Sequence, residues 1–162
     1  MANSGNIKLN AIIKIIGLLL VIEGLFMISC LGFSAWYDPD FAAHLVLFNP
    51  AHDFLPLLLS GSGIILIGTF LWFINRKLDQ TSIGKREGYI IVTMAWVVIS
   101  VFGAIPFMLA GVTTNYTDAF FETMSGFTTT GASIFTDIEA IPKGILFWRS
   151  LTHWIGGMGI IV

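Results

Sequence analysis

Hydrophobic positions come along this chain in four long blocks, at residues 11–36, 54–75, 89–111 and 146–162. A helix that crosses a bilayer needs about 20 predominantly apolar residues, so each block predicts a membrane span. The segment between the last two blocks, 112–142, breaks the pattern. It carries Asp118, Glu122, Asp137 and Glu139, yet also Phe120, Phe121, Ile134 and Phe135. Those apolar residues do not suit a solvated loop.

Within that segment Thr117 and Asp118 predict a helix start, the threonine as N-cap and the aspartate near the positive end of the helix dipole. Residues 119–125 continue a helix of about ten residues, near 15 Å long and half the depth of a membrane. Gly126 predicts its stop. Thr128, Thr129, Thr130, Gly131, Ala132 and Ser133 follow as extended or irregular chain, because three β-branched residues and a glycine favour that path.

A half-length helix followed by a returning polar strand predicts a re-entrant pore loop, which lipid tolerates only where protein buries it or it lines water. In such loops successive carbonyls point inward and replace the hydration shell of a cation. Gly131 would supply the backbone angles that aim several carbonyls one way. The half-helix would direct its negative C-terminal end toward the ion. The competing reading is a solvated turn after a surface helix, and the apolar residues on both sides of the threonines argue against it.

Composition agrees with the membrane reading. Of 162 residues, 56% are hydrophobic and 11% charged, with a mean hydropathy of +0.85, whereas soluble domains carry about 25% charged residues. A net charge of -2 gives no basis for a nucleic-acid partner, and Cys30, the single cysteine, excludes an internal disulfide. The first block is too long for the apolar core of a cleaved signal peptide and is read as a retained helix. The fourth runs to Ile160, Ile161 and Val162 without a polar flank, so the chain is expected to be cut short.

Charge sets the expected orientation. Lys8 and Lys14 lie at the start of the first span, Asp38, Asp40 and Asp53 between the first and second, and Arg76, Lys77, Lys85 and Arg86 between the second and third. Basic residues collect on the cytoplasmic side of short loops, which places the N-terminus inside and 112–142 outside.

Two stretches carry a family resemblance: DAFFETMSGFTTTGASI from Asp118 and FWRSLTHWIGGMGIIV from Phe147. Together they resemble the first pore repeat of the TrkH/TrkG/KtrB family of potassium-uptake proteins, and the two leading spans match the TrkH branch. The resemblance implies an all-α transmembrane fold, a helical bundle with one re-entrant pore loop, in which a helix, pore loop, helix unit is preceded by two helices. It divides the chain into 1–85, two helices with a cytoplasmic loop, and 86–162, the first pore repeat. The implied function is potassium translocation by a multi-pass protein of the bacterial inner membrane. Family members place four non-identical repeats around one path, form homodimers and associate with a cytosolic nucleotide-binding regulatory subunit.

Carried over residue by residue, the family's filter glycine falls on Gly131 and the ion-facing carbonyls on Thr129, Thr130, Gly131 and Ala132. Potassium is then the transported substrate, lipid the surrounding partner, and no cofactor is implied. Repeats two to four, including the gating loop of the third, are not in this chain.

Other polar residues carry smaller expectations. Glu23, mid-span, is expected to make a structural hydrogen bond rather than to line an ion path. Arg149 and His153 share a helix face and are expected to partner pore-helix or loop groups, with Glu122 as a candidate. Gly156, Gly157 and Gly159, and the Ser60, Gly61, Ser62, Gly63 run, read as close-packing positions. Pro106 predicts a kink. Asn115, Tyr116 and Thr117 match a glycosylation sequon that helix capping explains equally well. The alternatives to a Trk-type subunit are a small homotetrameric cation channel and a non-conducting membrane fragment. No zinc-protease or serine-hydrolase motif supports an enzyme.

Overall fold

In lipid an apolar run satisfies its backbone only by coiling, since no water is present to pair with free N–H and C=O groups. The structure, a computed structural model, describes residues 9–37, 53–76 and 84–161. These form α1 (Leu9–Tyr37), α2 (Phe54–Ile74), α3 (Lys85–Gly103), α4 (Ile105–Leu109), α5 (Tyr116–Phe127) and α6 (Lys143–Ile161). No strand occurs among the described residues, and the fold is an all-α bundle. Lys8, Asp38, Asp40 and Lys77 lie outside the described residues.

Three segments are long and apolar enough to cross a membrane: Leu9–Tyr37, Phe54–Ile74, and Lys85–Leu109 taken through its break. The fourth expected span also forms a helix, α6, which does not belong to that set.

Helices α1 and α2 pack through glycines. A Cβ on Gly17 would lie 2.8 Å from Gly68 O, and one on Gly24 would lie 2.8 Å from Gly61 O. Both pairs are seven residues apart on their own helices, so two close approaches stack along one seam. Gly61 thus has the expected packing role, whereas a Cβ on Gly63 would meet open space. The helices are antiparallel: Lys14 Nζ donates to Arg76 O (3.4 Å) at one end, and Ser34 Oγ donates to Asp53 at the other.

The kink expected at Pro106 takes the form of a break, with α3 ending at Gly103. The chain turns at Ala104 and resumes as α4, with the proline in its first turn. Carbonyls beside this break bond elsewhere: Trp148 Nε1 of α6 donates to Gly103 O (3.1 Å), and the Tyr116 hydroxyl donates to Val101 O (2.9 Å). Leu20, Met27, Leu57, Ile64, Phe107, Phe127, Ile145 and Trp148 fill the core where the helices meet.

Candidate functional site

Helix α5 begins at Asn115, whose side chain accepts from Thr117 N (3.1 Å). Asn115 is therefore the N-cap and Thr117 lies inside the helix. Asparagine out-competes threonine because its side-chain oxygen reaches the first-turn N–H groups at least as well. The capping explanation of the sequon stands on this contact.

Gly126 does not stop the helix, which continues through Phe127. Its lack of a side chain serves packing instead. A Cβ there would collide with Thr152 Oγ1 of α6, and one on Gly156 would collide with Phe127 O. Gly156 thereby fulfils its packing expectation, while a Cβ on Gly157 or Gly159 would meet ordinary contacts at 3.9 and 3.8 Å.

Successive contacts join Glu122 to Arg149, Gly126 to Thr152, and Phe127 to Gly156. Helices α5 and α6 therefore run in the same direction. Gly156 lies thirteen residues beyond Lys143, about 20 Å along the α6 axis at 1.5 Å per residue. Phe127, 1% exposed, consequently ends α5 in the interior of the bundle, against the C-terminal half of α6.

The end of α5 is a Schellman turn. Thr130 N donates to Ser125 O (3.0 Å) and Thr129 N to Gly126 O (2.9 Å). That motif places its turning residue in the left-handed region, a position usually held by glycine. Here it is Thr129, with φ +57°, and no other non-glycine described residue has positive φ. A β-branched residue pays sterically for this conformation and persists only when its surroundings hold it. Gly131 follows with φ +78°, and a Cβ on it would meet open space, so the requirement for glycine is conformational.

The chain then reverses and returns along α5. Glu122, 1% exposed, receives it: Oε1 accepts from Ser133 Oγ (3.0 Å) and Oε2 from Ile134 N (3.0 Å). The same carboxylate pairs with Arg149 Nε of α6. One buried acid thus joins the half-helix, the returning strand and the next helix. Its pairing with Arg149 is as expected. His153, one turn further, makes no hydrogen bond among the described residues, against its expected partnering.

Between the turn and this clamp, residues 128–133 are exposed on the surface of the chain, while Glu122, Thr123, Ser125, Gly126 and Phe127 behind them are buried. Ala132 differs from its neighbours, because its carbonyl accepts from Ser125 Oγ at 2.6 Å. One of its two lone pairs is committed to α5. Glu23 lies beside Gly103 at the end of α3 and makes no hydrogen bond, so the structural bond expected for it is not there. Asp53 accepts from Ser34 Oγ and from Gly144 N in the first turn of α6, a contact across 91 positions that nothing in the local sequence signals.

The same residues match a family model described as "TrkH: Cation transport protein" over 58–162. The chain belongs to the TrkH family. Among its relatives, the Trk system potassium uptake protein TrkH of Escherichia coli is 44% identical over 99 residues, covering 60% of this chain and 20% of that protein. The TrkH of Vibrio parahaemolyticus is 34% identical over 156 residues, covering 96% of this chain and 30% of its own length. An uncharacterised cation transporter of Methanocaldococcus jannaschii is 32% identical over 154 residues, covering 95% and 29%. The crystal structure of the potassium transporter TrkH from Vibrio parahaemolyticus superposes with a TM-score of 0.82 at 32% identity, over 95% of this chain and 30% of that one. This chain therefore spans between 20% and 30% of the length of these TrkH-family relatives. The family is one of cation transporters, not enzymes.

Proposed function

We propose that this chain contributes the first ion-coordinating loop of a Trk-type potassium uptake protein. The observation that carries the reading is the backbone from Thr129 to Gly131: two left-handed residues within three, exposed at the end of a half-helix and held from behind by Glu122. Residues in left-handed conformations turn their carbonyls away from the regular alternation, which lets neighbouring carbonyls share one side.

In this reading α5 is a pore helix and 128–133 is the filter strand of a re-entrant loop. Thr129, Thr130 and Gly131 offer carbonyls to a dehydrating potassium ion, and Ala132 contributes the lone pair that Ser125 leaves free. The C-terminal end of α5 adds its negative partial charge. Glu122 and Arg149 hold the strand without facing the ion, since a bare cation beside the path would repel potassium.

The chain divides functionally into 1–85, a scaffold pair of helices, and 86–162, the pore repeat. The basic end, where Lys14 meets Arg76, faces the cytoplasm, and α5 enters from outside. One loop supplies one side of an ion's coordination shell, so conduction requires three further loops. The names of the relatives support potassium as the ion, and the location in this reading is the bacterial inner membrane. Homodimer formation and a cytosolic nucleotide-binding regulatory subunit complete the proposal.

A chimera tests it. These 162 residues replace the aligned part of the Vibrio parahaemolyticus TrkH, and the product is expressed in a bacterium lacking potassium uptake. Growth at limiting potassium is expected. A chimera that reaches the membrane intact but supports neither growth nor potassium uptake contradicts the reading.

A further inference from the structure

Among the described residues, Glu23 is the one whose buried side-chain polar atoms lack a partner. Both carboxyl oxygens are without a hydrogen bond, and the residue is 4% exposed. A Cβ placed on Gly103 would lie 2.9 Å from Glu23 Oε1, 2.7 Å from Thr123 Cγ2 and 3.2 Å from a ring carbon of Phe127. The carboxyl of α1 thus fills the space that Gly103 leaves at the end of α3. Thr123 and Phe127 of α5 border the same space.

Among the described residues, none offers Glu23 a charge or a free donor. Thr123 Oγ1 donates to Ala119 O, and Gly103 O already accepts from Trp148. Helix α2 has no titratable residue within its bounds. Those of α3, Lys85, Arg86, Glu87 and Tyr89, are in its first five residues, whereas Gly103 is its last. Helix α5 carries Tyr116, Asp118 and Glu122, and α6 carries Lys143, Arg149 and His153. Arg149 is committed to Glu122, and none of these groups bonds Glu23.

We propose that Glu23 is a proton-binding site in the space at Gly103, beside α5, and that its neutral carboxylic acid form seats α1 against α3. A lone carboxylate in an apolar setting is far costlier than the neutral acid. A proton satisfies the group with no further ligand. A metal ion would need several more oxygens, and no cluster of three or more His, Cys, Asp or Glu able to hold one occurs among the described residues. Losing the proton forces the carboxylate to admit water or leave its place, which loosens α1 from α3. Cys30, fully buried seven residues further along α1, then becomes accessible.

Infrared spectroscopy of this chain in lipid vesicles reads the proton directly and does not depend on ion transport. The wild type near neutral pH is expected to show a carboxylic acid C=O band that shifts down in heavy water. The band disappears in Glu23→Gln and is displaced, not lost, in Glu23→Asp, which covers the case of a misfolded glutamine variant. On raising the pH, thiol labelling of Cys30 should increase more steeply in wild type than in Glu23→Gln. A wild type without the acid band, a band unaffected by both substitutions, or identical labelling profiles would overturn the proposal.

Discussion

The two ways this bundle holds its helices together are opposites. Between its polar ends the α1–α2 seam is apolar and glycine-mediated, with backbones brought close at Gly17, Gly24, Gly61 and Gly68. At the α5–α6 seam glycine approach is combined with a buried charge pair and a fan of hydrogen bonds on Glu122. Lipid supplies no hydrophobic drive between helices, so close packing suffices where only a scaffold is needed. The irregular segment after α5 is held by more, since Ser125 donates to Ala132 O and Glu122 accepts from Ser133 Oγ and Ile134 N. The lesson is that the densest cluster of polar contacts in this chain lies where irregular backbone has to be held.

The largest effect is expected from breaking the clamp. Arg149→Met leaves Glu122 as a buried unpaired charge and should cost about 3–5 kcal/mol, read as a fall in thermal unfolding measured by helical circular dichroism in detergent. Adding Glu122→Gln to Arg149→Met should recover part of that loss. No recovery would mean that the pair does not act as a unit.

Gly156→Ala comes next, because its new Cβ meets the backbone oxygen of Phe127, which cannot swing aside. Overpacking of this kind costs about 1–3 kcal/mol, and the same assay should place Gly156→Ala well below Gly157→Ala. At the other seam Gly24→Ala meets Ile65 Cγ1 at 2.6 Å and the backbone oxygen of Gly61 at 2.8 Å, a milder overlap than the one at Gly156. A smaller loss is expected there, and Gly63→Ala, facing open space, should gain up to about 1 kcal/mol from helix propensity. Equal losses at Gly24 and Gly156 would erase the distinction between the seams.

The smallest stability effect belongs to Thr129→Gly. Removing the β-branched side chain from a left-handed residue should stabilise the fold by about 1 kcal/mol. A destabilised variant would show that the threonine side chain, not the surrounding turn, holds that backbone.

Much of this was legible in the sequence for identifiable reasons. Hydropathy blocks mark α1, α2 and α3 because lipid enforces helices on apolar runs. Pro106 marks the α3 break because its ring cannot continue the ladder. Glu122 and Arg149 were matched because two opposite charges in apolar surroundings need each other. Local rules failed where two residue types compete for one role, as Asn115 and Thr117 do at the α5 cap. They failed again at Gly126, where glycine meant contact with Thr152 and not a helix end. The link from Asp53 to Gly144 and the unpartnered state of Glu23 depend on how distant helices meet, which no local pattern encodes.

The central claim is that the backbone of Thr129 to Gly131 selects the ion, and relative potassium and sodium uptake by the four-repeat chimera tests it most directly. Gly131 has φ +78° and an open space where a Cβ would go, so Gly131→Ser alters backbone preference without a clash. The expected result is a protein that still reaches the membrane and still moves cations, with its potassium-to-sodium uptake ratio clearly lowered. An unchanged ratio in a correctly folded Gly131→Ser protein would contradict the account.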